Sequence, residues 1–414
     1  MATQSRNLLS IGLLSNVFEW YEYSVFGFMA GLIGQLFFDE NQPIMELIKG
    51  LTLFAVSYLA RPLGSLFFGF MGDRLGSASA LRLSLILMAI PTVIVGVLPT
   101  YKEIGVFAPF FLCILRLIQG FAAGGELPNS GCYIFEAAPQ HHRSILCSCV
   151  MASSVIGMLM GSLVMGSLLK YFDEETLMQW AWRIPFLLGI PLTLFITYIR
   201  RKIHTDQLTQ VIQPIARVNG WKHLGKPLLK AVCLVAFQSV FFYTLFIWMP
   251  SYLQYFLGIP SGIAHFTNAL TIVLASPLYL FMGYLASKVH YSLLIKLGII
   301  GILILLIPLF KGLQWQPNIG SLIGLQFLLM PFFVAIHSVW IEMLIELFPR
   351  NIRNLGVSLA WSIPPSFIGS TAPLVCTYVI HKTGWLMFPA FYIMVFGLLA
   401  LPVALTLKSL KTLG

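Results

Sequence analysis

The sequence predicts an all-α integral membrane protein, with twelve transmembrane helices in two six-helix pseudo-symmetric bundles and both termini cytoplasmic. Three observations carry this. The 414 residues are 58% hydrophobic and only 10% charged, with a mean hydropathy of +0.86, a balance that belongs in lipid. Windows of about 19 residues separate twelve apolar segments, at 7–38, 47–71, 80–99, 106–137, 145–171, 182–199, 228–256, 262–287, 293–310, 319–348, 355–380 and 385–407. The longest polar stretch divides them six and six, which predicts one bundle over 1–199, a cytoplasmic linker over 200–227 and a second bundle over 228–414.

Orientation follows from the basic residues. With a cytoplasmic N-terminus, 17 of the 25 Lys and Arg fall on the cytoplasmic side and five, Lys49, Lys102, Lys170, Lys311 and Lys382, on the other. Arg61, Arg116 and Arg183 lie in the membrane or at its edge and complete the count. Cytoplasmic loops carry the basic excess, so the net charge of +10 is a topology signal and not a nucleic-acid footprint. The first apolar segment is too long for a signal peptide, holds two glutamates and lacks a small-residue cleavage site, so it stays as a membrane helix. Cys113, Cys132, Cys147, Cys149, Cys233 and Cys376 sit in or at the ends of apolar segments and read as small apolar fillers, not metal ligands.

The densest charge pattern lies at 116–143, RLIQGFAAGGELPNSGCYIFEAAPQHHR. On a helix, Arg116, Gln119, Ala123, Glu126, Ser130 and Tyr133 share about a third of the circumference. Arg116 and Glu126 stand roughly 15 Å apart along the axis, so each needs a partner on another helix or water. The same stretch opens an internal repeat. Glu136, Pro139 and Arg143 have the spacing ExxPxxxR, and Glu346, Pro349 and Arg353 repeat it 210 residues later, each copy after the fourth helix of its half. Parallel repeats of this kind predict a shared cavity at mid-depth. Asp73 and Arg74, in the glycine-bounded loop after the second segment, join Glu136, Arg143, Glu346 and Arg353 as a cytoplasmic gate, with Asp73 able to reach Arg143.

Several stretches together resemble a known family. GFMGDRLG at 69–76 is similar to the loop signature of the major facilitator superfamily. NVFEWYEYSVFG (16–27), ARPLGSLFFGFMGDR (60–74), RLIQGFAAGGE with its ExxPxxxR (116–143), WRIPFLLG (182–189) and ELFPRNIRNLGVSLA (346–360) resemble the metabolite:proton symporters, carriers of citrate, dicarboxylates, shikimate and proline/betaine. The likeness spans essentially the whole chain. It departs at Ser77, Ala78 and Ser79, where a basic run is usual, and at Glu22, where most relatives carry Asp. The resemblance implies a major facilitator fold in the bacterial inner membrane, protons as the coupling ion, and no other cofactor.

Candidate roles follow from where charge is placed in lipid. The first helix carries Asn16, Glu19 and Glu22 on one face with Tyr23 alongside. Carboxylates near mid-membrane cost several kcal/mol if ionised and unpaired, so Glu22, Glu19 and Glu126 are the proton-coupling candidates, Glu22 foremost. Arg61, halfway along the second helix and followed by a kinking Pro62, is expected to pair with a first-helix carboxylate as a structural ion pair. Arg116 is the leading substrate contact, because a guanidinium captures a carboxylate bidentately, and Gln119 one turn on adds a hydrogen bond. A fixed pairing of Arg116 with Glu19 or Glu22 is the competing reading, and both hold if substrate replaces a protonated carboxylate.

The second half contributes fewer charges. Its first helix is aromatic, with Phe241, Phe242, Tyr243, Phe246, Trp248, Tyr252 and Tyr255 beside Gln238. Such a wall suits either packing or cation–π capture of a quaternary ammonium. Tyr23, Gln238, Tyr243, Trp248, His337 and Trp361 complete the substrate-contact candidates. His337 and Glu342 do not share a helix face. Trp361 with Pro364 and Pro365 predicts a broken helix lining the cavity, and Gly157, Gly161 and Gly166 predict close helix packing.

The expectation is a monomeric proton-coupled importer working by alternating access. An organic acid or polycarboxylate is the first substrate class, from Arg116, the cationic balance and the chain's ending soon after the last helix, without the coiled coil of osmoregulatory relatives. A zwitterion such as betaine or proline is the alternative, from the aromatic helix. An exporter of the same fold is disfavoured because the glycine-proline pattern of drug antiporters is absent from the fifth helix. A sensor or membrane enzyme is disfavoured because no nucleophile and base pair, metal cluster or soluble domain is evident.

Overall fold

The computed structural model describes residues 2–39, 42–75, 77–125, 128, 131–132, 134–135, 138–139, 142–191, 194, 221–349 and 353–407. Every regular element among them is helical. In the first half, α1 (Ala2–Phe28) is interrupted at Met29 and continues as α2 (Ala30–Phe37). α3 (Pro43–Leu59) stops at Ala60, and α4 (Arg61–Leu75) restarts with Pro62 in its first turn. Proline has no N–H to give and its ring crowds the carbonyl four residues back, so the chain resets at the place the sequence indicates. α5 (Ser77–Val97), α6 (Phe107–Ala123), α7 (Arg143–Tyr171) and the short α8 (Glu174–Gln179) follow.

The second half opens with α9 (Trp221–Phe242), a π-helical turn at Tyr243–Ile247 and α10 (Met249–Leu257). Pro250 accounts for the widened turn, since it frees the carbonyls one turn back. Two side chains take them up: Asn268 Nδ2 donates to Phe246 O at 3.1 Å and Gln326 Nε2 to Leu245 O at 3.1 Å. Then come α11 (Ser261–Lys288), α12 (Tyr291–Trp315), α13 (Ile319–Ser338), α14 (Trp340–Leu347) and α15 (Arg353–Pro364). A second π-helical turn, Pro365–Gly369, links α15 to α16 (Ala372–Thr383), before α17 (Phe388–Leu405). The broken helix expected at Trp361, Pro364 and Pro365 is therefore present as a π turn.

Eight helical runs among the described residues are long and apolar enough to cross a membrane, and Ile86–Val97 and Phe107–Ala123 are shorter apolar helices. Their outward faces carry large apolar side chains such as Leu63, Ile94, Phe110, Leu280 and Ile304, while the interior is a continuous apolar core. A soluble protein would bury such residues; in lipid they face acyl chains.

The halves meet chiefly along two helix pairs, α7 with α11 and α4 with α15, with α3 also touching α16. Ser65 on α4 and Ser362 on α15 share a hydrogen bond across one, and Ser162 Oγ donates to His265 O at 3.1 Å across the other. Within the first half, Gly157 and Gly161 on α7 seat against α1 at Val17, Tyr21 and Ser24, as expected of close packing. Gly166 does not join them, for a Cβ there would meet nothing within 4 Å. Beyond α7, outside the apolar span, Asp173 precedes α8, and a hydrogen bond from Thr176 holds its carboxyl below the usual carboxylate range.

Candidate functional site

The site is built where α1, α3, α4, α5 and α6 converge. Glu19 and Glu22, one turn apart on α1, face two arginines from different helices. Arg61 stands at the restart of α4 and pairs with Glu19 Oε1 through Nη2. Arg116 on α6 pairs with Glu22, with 2.6 Å from Nη1 to Oε1. Gln119, one turn further along α6, donates from Nε2 to the same Glu22 oxygen at 2.7 Å and to Thr92 Oγ1 on α5 at 2.8 Å. Its own Oε1 accepts from Arg116 Nη1 at 2.9 Å, and Arg116 Nη2 reaches Ser57 Oγ on α3 at 3.1 Å.

Aromatic faces close the site. The Arg61 guanidinium lies 4.6 Å from the Tyr23 ring centre and 4.5 Å from that of Tyr58. Arg116 lies over Phe26 at 4.0 Å and near Tyr23 at 5.2 Å. The second half supplies Tyr243, which meets Tyr58 edge-on at 5.3 Å and Phe54 at 6.0 Å, and stacks with Trp20 at 6.5 Å.

All four charges are at most 1% exposed. Two positive and two negative charges cancel, which is the condition for holding them away from water, since an uncompensated buried charge costs roughly 3–5 kcal/mol. The hydrogen bonding is nevertheless incomplete. Glu22 Oε2, Tyr23 Oη and Arg116 Nε have no hydrogen-bond partner, whereas about nine in ten buried polar groups ordinarily do.

Of the sequence candidates, Glu19, Glu22, Tyr23, Arg61, Arg116, Gln119 and Tyr243 come together at this one place. Arg61 takes the pairing expected of it, and Arg116 is bound to Glu22. Gln238, Trp248, His337 and Trp361 are buried but make no direct hydrogen bond or ring contact with the cluster. Trp248 donates from Nε1 to Thr377 Oγ1 at 2.8 Å, and His337 Nδ1 bonds Tyr279 Oη at 2.8 Å among the rings of Phe242 and Phe333. Most of the aromatic wall is therefore packing inside the second half.

Ser57, Tyr58, Thr92 and Phe26 were not singled out from the sequence. Ser57 and Tyr58 precede Arg61 by four and three residues and so share its helical face, a signal present in the spacing. Thr92 and Phe26 reach the site through tertiary docking alone.

Of the residues expected to form a cytoplasmic gate, two have contacts among the described residues. Arg143 Nε donates to Ala138 O at 3.3 Å with its guanidinium 4.8 Å from the Phe135 ring, and Arg353 Nε donates to Ile345 O at 3.1 Å. Each arginine of the repeat thus holds a backbone carbonyl that precedes it in the chain. Glu126 and Glu136 lie outside the described residues, as does the linker up to residue 220, and the side chains of Asp73 and Arg74 are likewise not described. Among the described residues, no three His, Cys, Asp or Glu side chains gather in a way that would hold a metal ion.

Comparison with known proteins accords with this architecture. Residues 9–360 match the Major Facilitator Superfamily. The glycine betaine/proline/ectoine/pipecolic acid transporter OusA of Dickeya dadantii is 30% identical over 425 residues, covering 98% of this chain and 83% of that one. The proline/betaine transporter of Escherichia coli strain K12 is 29% identical over 423 residues, with the same coverage. Among solved structures, the proton:xylose symporter XylE bound to 6-bromo-6-deoxy-D-glucose superposes with a TM-score of 0.78 at 19% identity, covering 98% of this chain and 95% of that one. A partially occluded inward-open form of XylE from E. coli gives 0.73 at 18% identity, covering 97% and 98%. The chain belongs to the major facilitator superfamily, and is a multi-pass transporter of the bacterial inner membrane, not an enzyme.

Proposed function

We propose that the chain is a proton-coupled symporter that imports a small zwitterion, such as betaine or proline, by alternating access. The observation that carries this is the charge-neutral cluster of Glu22, Arg116 and Gln119 beside Tyr23, Tyr58 and Tyr243. When Glu22 takes a proton, Arg116 loses its counter-charge. The carboxylate of a zwitterion restores it one for one, while the cationic head rests on aromatic faces at a gain of about 0.5–2 kcal/mol. Return of the proton to the other side re-forms the Glu22–Arg116 pair and expels the solute. Arg61 stays paired with Glu19 throughout.

This reverses the preference drawn from the sequence, which put organic acids first. A polycarboxylate would bring two or more negative charges to a site with one releasable guanidinium, and the excess would be buried unpaired. The similar carriers from D. dadantii and E. coli, a glycine betaine/proline/ectoine/pipecolic acid transporter and a proline/betaine transporter, support the zwitterion as well. The reading includes twelve spans in two bundles, over 1–199 and 228–414, joined by a cytoplasmic linker, with both termini cytoplasmic. The monomer is its working unit, and the repeated Arg143 and Arg353 belong to its cytoplasmic gate with Asp73, Arg74, Glu136 and Glu346.

A thermal-shift experiment on the purified protein tests the substrate class. Glycine betaine and proline, at a hundred times their Kd, are expected to raise the melting temperature by roughly 2 °C or more, with citrate and succinate inert. Stabilisation by the dicarboxylates and none by the zwitterions would return the organic acid to first place.

A further inference from the structure

A second place between the two halves lies outside the site just described. A cleft of about 330 Å³ opens where the far ends of α1 and α2 face α10 and α11, with Phe28, Phe172, Glu174, Gln254, Tyr255 and His265 among its lining. That volume is at the lower end of the range for small-molecule sites, about 300–1,000 Å³. Among the described residues its lining includes one formal charge, the exposed Glu174, and neither lysine nor arginine.

The chemistry is one-sided. Phe28, Phe172 and Tyr255 offer aromatic rings, and Glu174 supplies a negative charge, a pairing that attracts a cation. His265 is 3% exposed, meets Phe28 edge-on at 5.4 Å between ring centres, and leaves Nδ1 without a hydrogen-bond partner. With its proton on Nδ1 the imidazole donates to a carboxylate, and the Gln254 amide offers a second donor. The cleft therefore matches both ends of a zwitterion.

Its position connects it to the buried centre. Phe28 stands roughly 9 Å beyond Glu22 along α1, away from the N-terminus, so with a cytoplasmic N-terminus the cleft faces outward. Between the two, Ile247 and Phe54 press on Gly27, and within the cleft itself the Tyr255 hydroxyl presses on Gly31. The absent side chains at those glycines let the second half close on α1 above the ion pairs.

Resting on the function proposed above, we infer that this cleft is an outer subsite where a zwitterionic solute is held, its ammonium toward Glu174 and the rings and its carboxylate toward His265, before passing Gly27 to the Arg116 centre.

The test is initial uptake of radiolabelled glycine betaine by the full-length protein in proteoliposomes, as KM against kcat. Glu174→Gln removes the charge at an exposed position, and Phe172→Ala removes a ring. Each is expected to raise KM about three- to fivefold with kcat within about twofold, and salt, which raises KM for the wild type by screening, is expected to have no such effect on Glu174→Gln. Wild-type uptake with KM unchanged in both variants would overturn the outer subsite and leave the proposed function standing. A fall in kcat without a change in KM would do the same. Failure of the wild type to take up betaine would remove both.

Discussion

At the scale of single residues, the question is why two arginines and two glutamates are kept where each costs so much to desolvate. Hydrophobic residues of similar volume would serve stability as well or better, so the cluster is retained for what it does. The division of labour is set by geometry. Arg61 lies against the rings of both Tyr23 and Tyr58, which also touch each other, and is tied to Glu19, an arrangement with little freedom. Arg116 spreads its donors over Glu22, Gln119 and Ser57, and the Glu22 oxygen it binds is shared with Gln119. Lysine has a point charge and cannot reproduce that fork. Arg116→Lys is therefore expected to keep the ion pair and the fold but to raise the KM for betaine about tenfold or more, since a hydrogen bond to a charged group is worth about 1.5–3 kcal/mol. Uptake kinetics beside a thermal melt check this; wild-type KM in the variant would remove Arg116 from substrate binding.

The same residues show how far a sequence can be read. Glu19, Glu22, Arg61 and Arg116 stand out because charge in an apolar segment is rare and needs a partner, a local signal. Which glutamate meets which arginine depends on helix rotation and docking, which spacing does not encode. Aromatic residues of α9 and α10 carry no such signal, because packing and binding use the same side chains. Tyr243 alone of that wall reaches the charged centre, and Trp248 turns to Thr377 instead.

At the scale of elements, the site depends on backbones that touch. Gly120 on α6 and Gly124 just after its end lie against the backbone at Ser57, Arg61 and Ser65, and Gly64 on α4 lies against Phe121. This contact sets the distance across which Arg116 reaches Ser57 and Glu22. A side chain at Gly120 would drive α6 from α3, and overpacking of this kind costs about 1–3 kcal/mol or more. Gly120→Leu is expected to lower the melting temperature in detergent and to lose betaine binding, whereas Gly166→Leu, with open space at its Cβ, is expected to melt with the wild type. Equal melting of both variants would contradict the close approach. Helix breaks were read from the sequence at Pro62 and at Pro364 with Pro365, while the one before Pro250, inside the segment read as a single helix over 228–256, was missed although proline marks it. The interruptions at Met29 and Val339 have no proline beside them, so the sequence carries no local mark of them.

At the scale of the whole molecule, apolar segments, their even division and the ExxPxxxR repeat indicated a two-part membrane protein, since lipid imposes length and polarity on every span. The substrate was less legible, because a lone guanidinium welcomes any carboxylate and only the surrounding count of charges decides between one and several. For a neutral solute moving with one proton, a potential of 100 mV contributes about 2.3 kcal/mol, or roughly fiftyfold accumulation. That gain needs a group whose proton occupancy controls whether Arg116 is free, the role proposed for Glu22. Glu22→Gln in proteoliposomes measures this directly, comparing betaine accumulation driven by a proton gradient with gradient-free counterflow exchange. The variant is predicted to exchange betaine across the membrane while accumulating none; gradient-driven accumulation at the wild-type level would contradict the coupling role of Glu22.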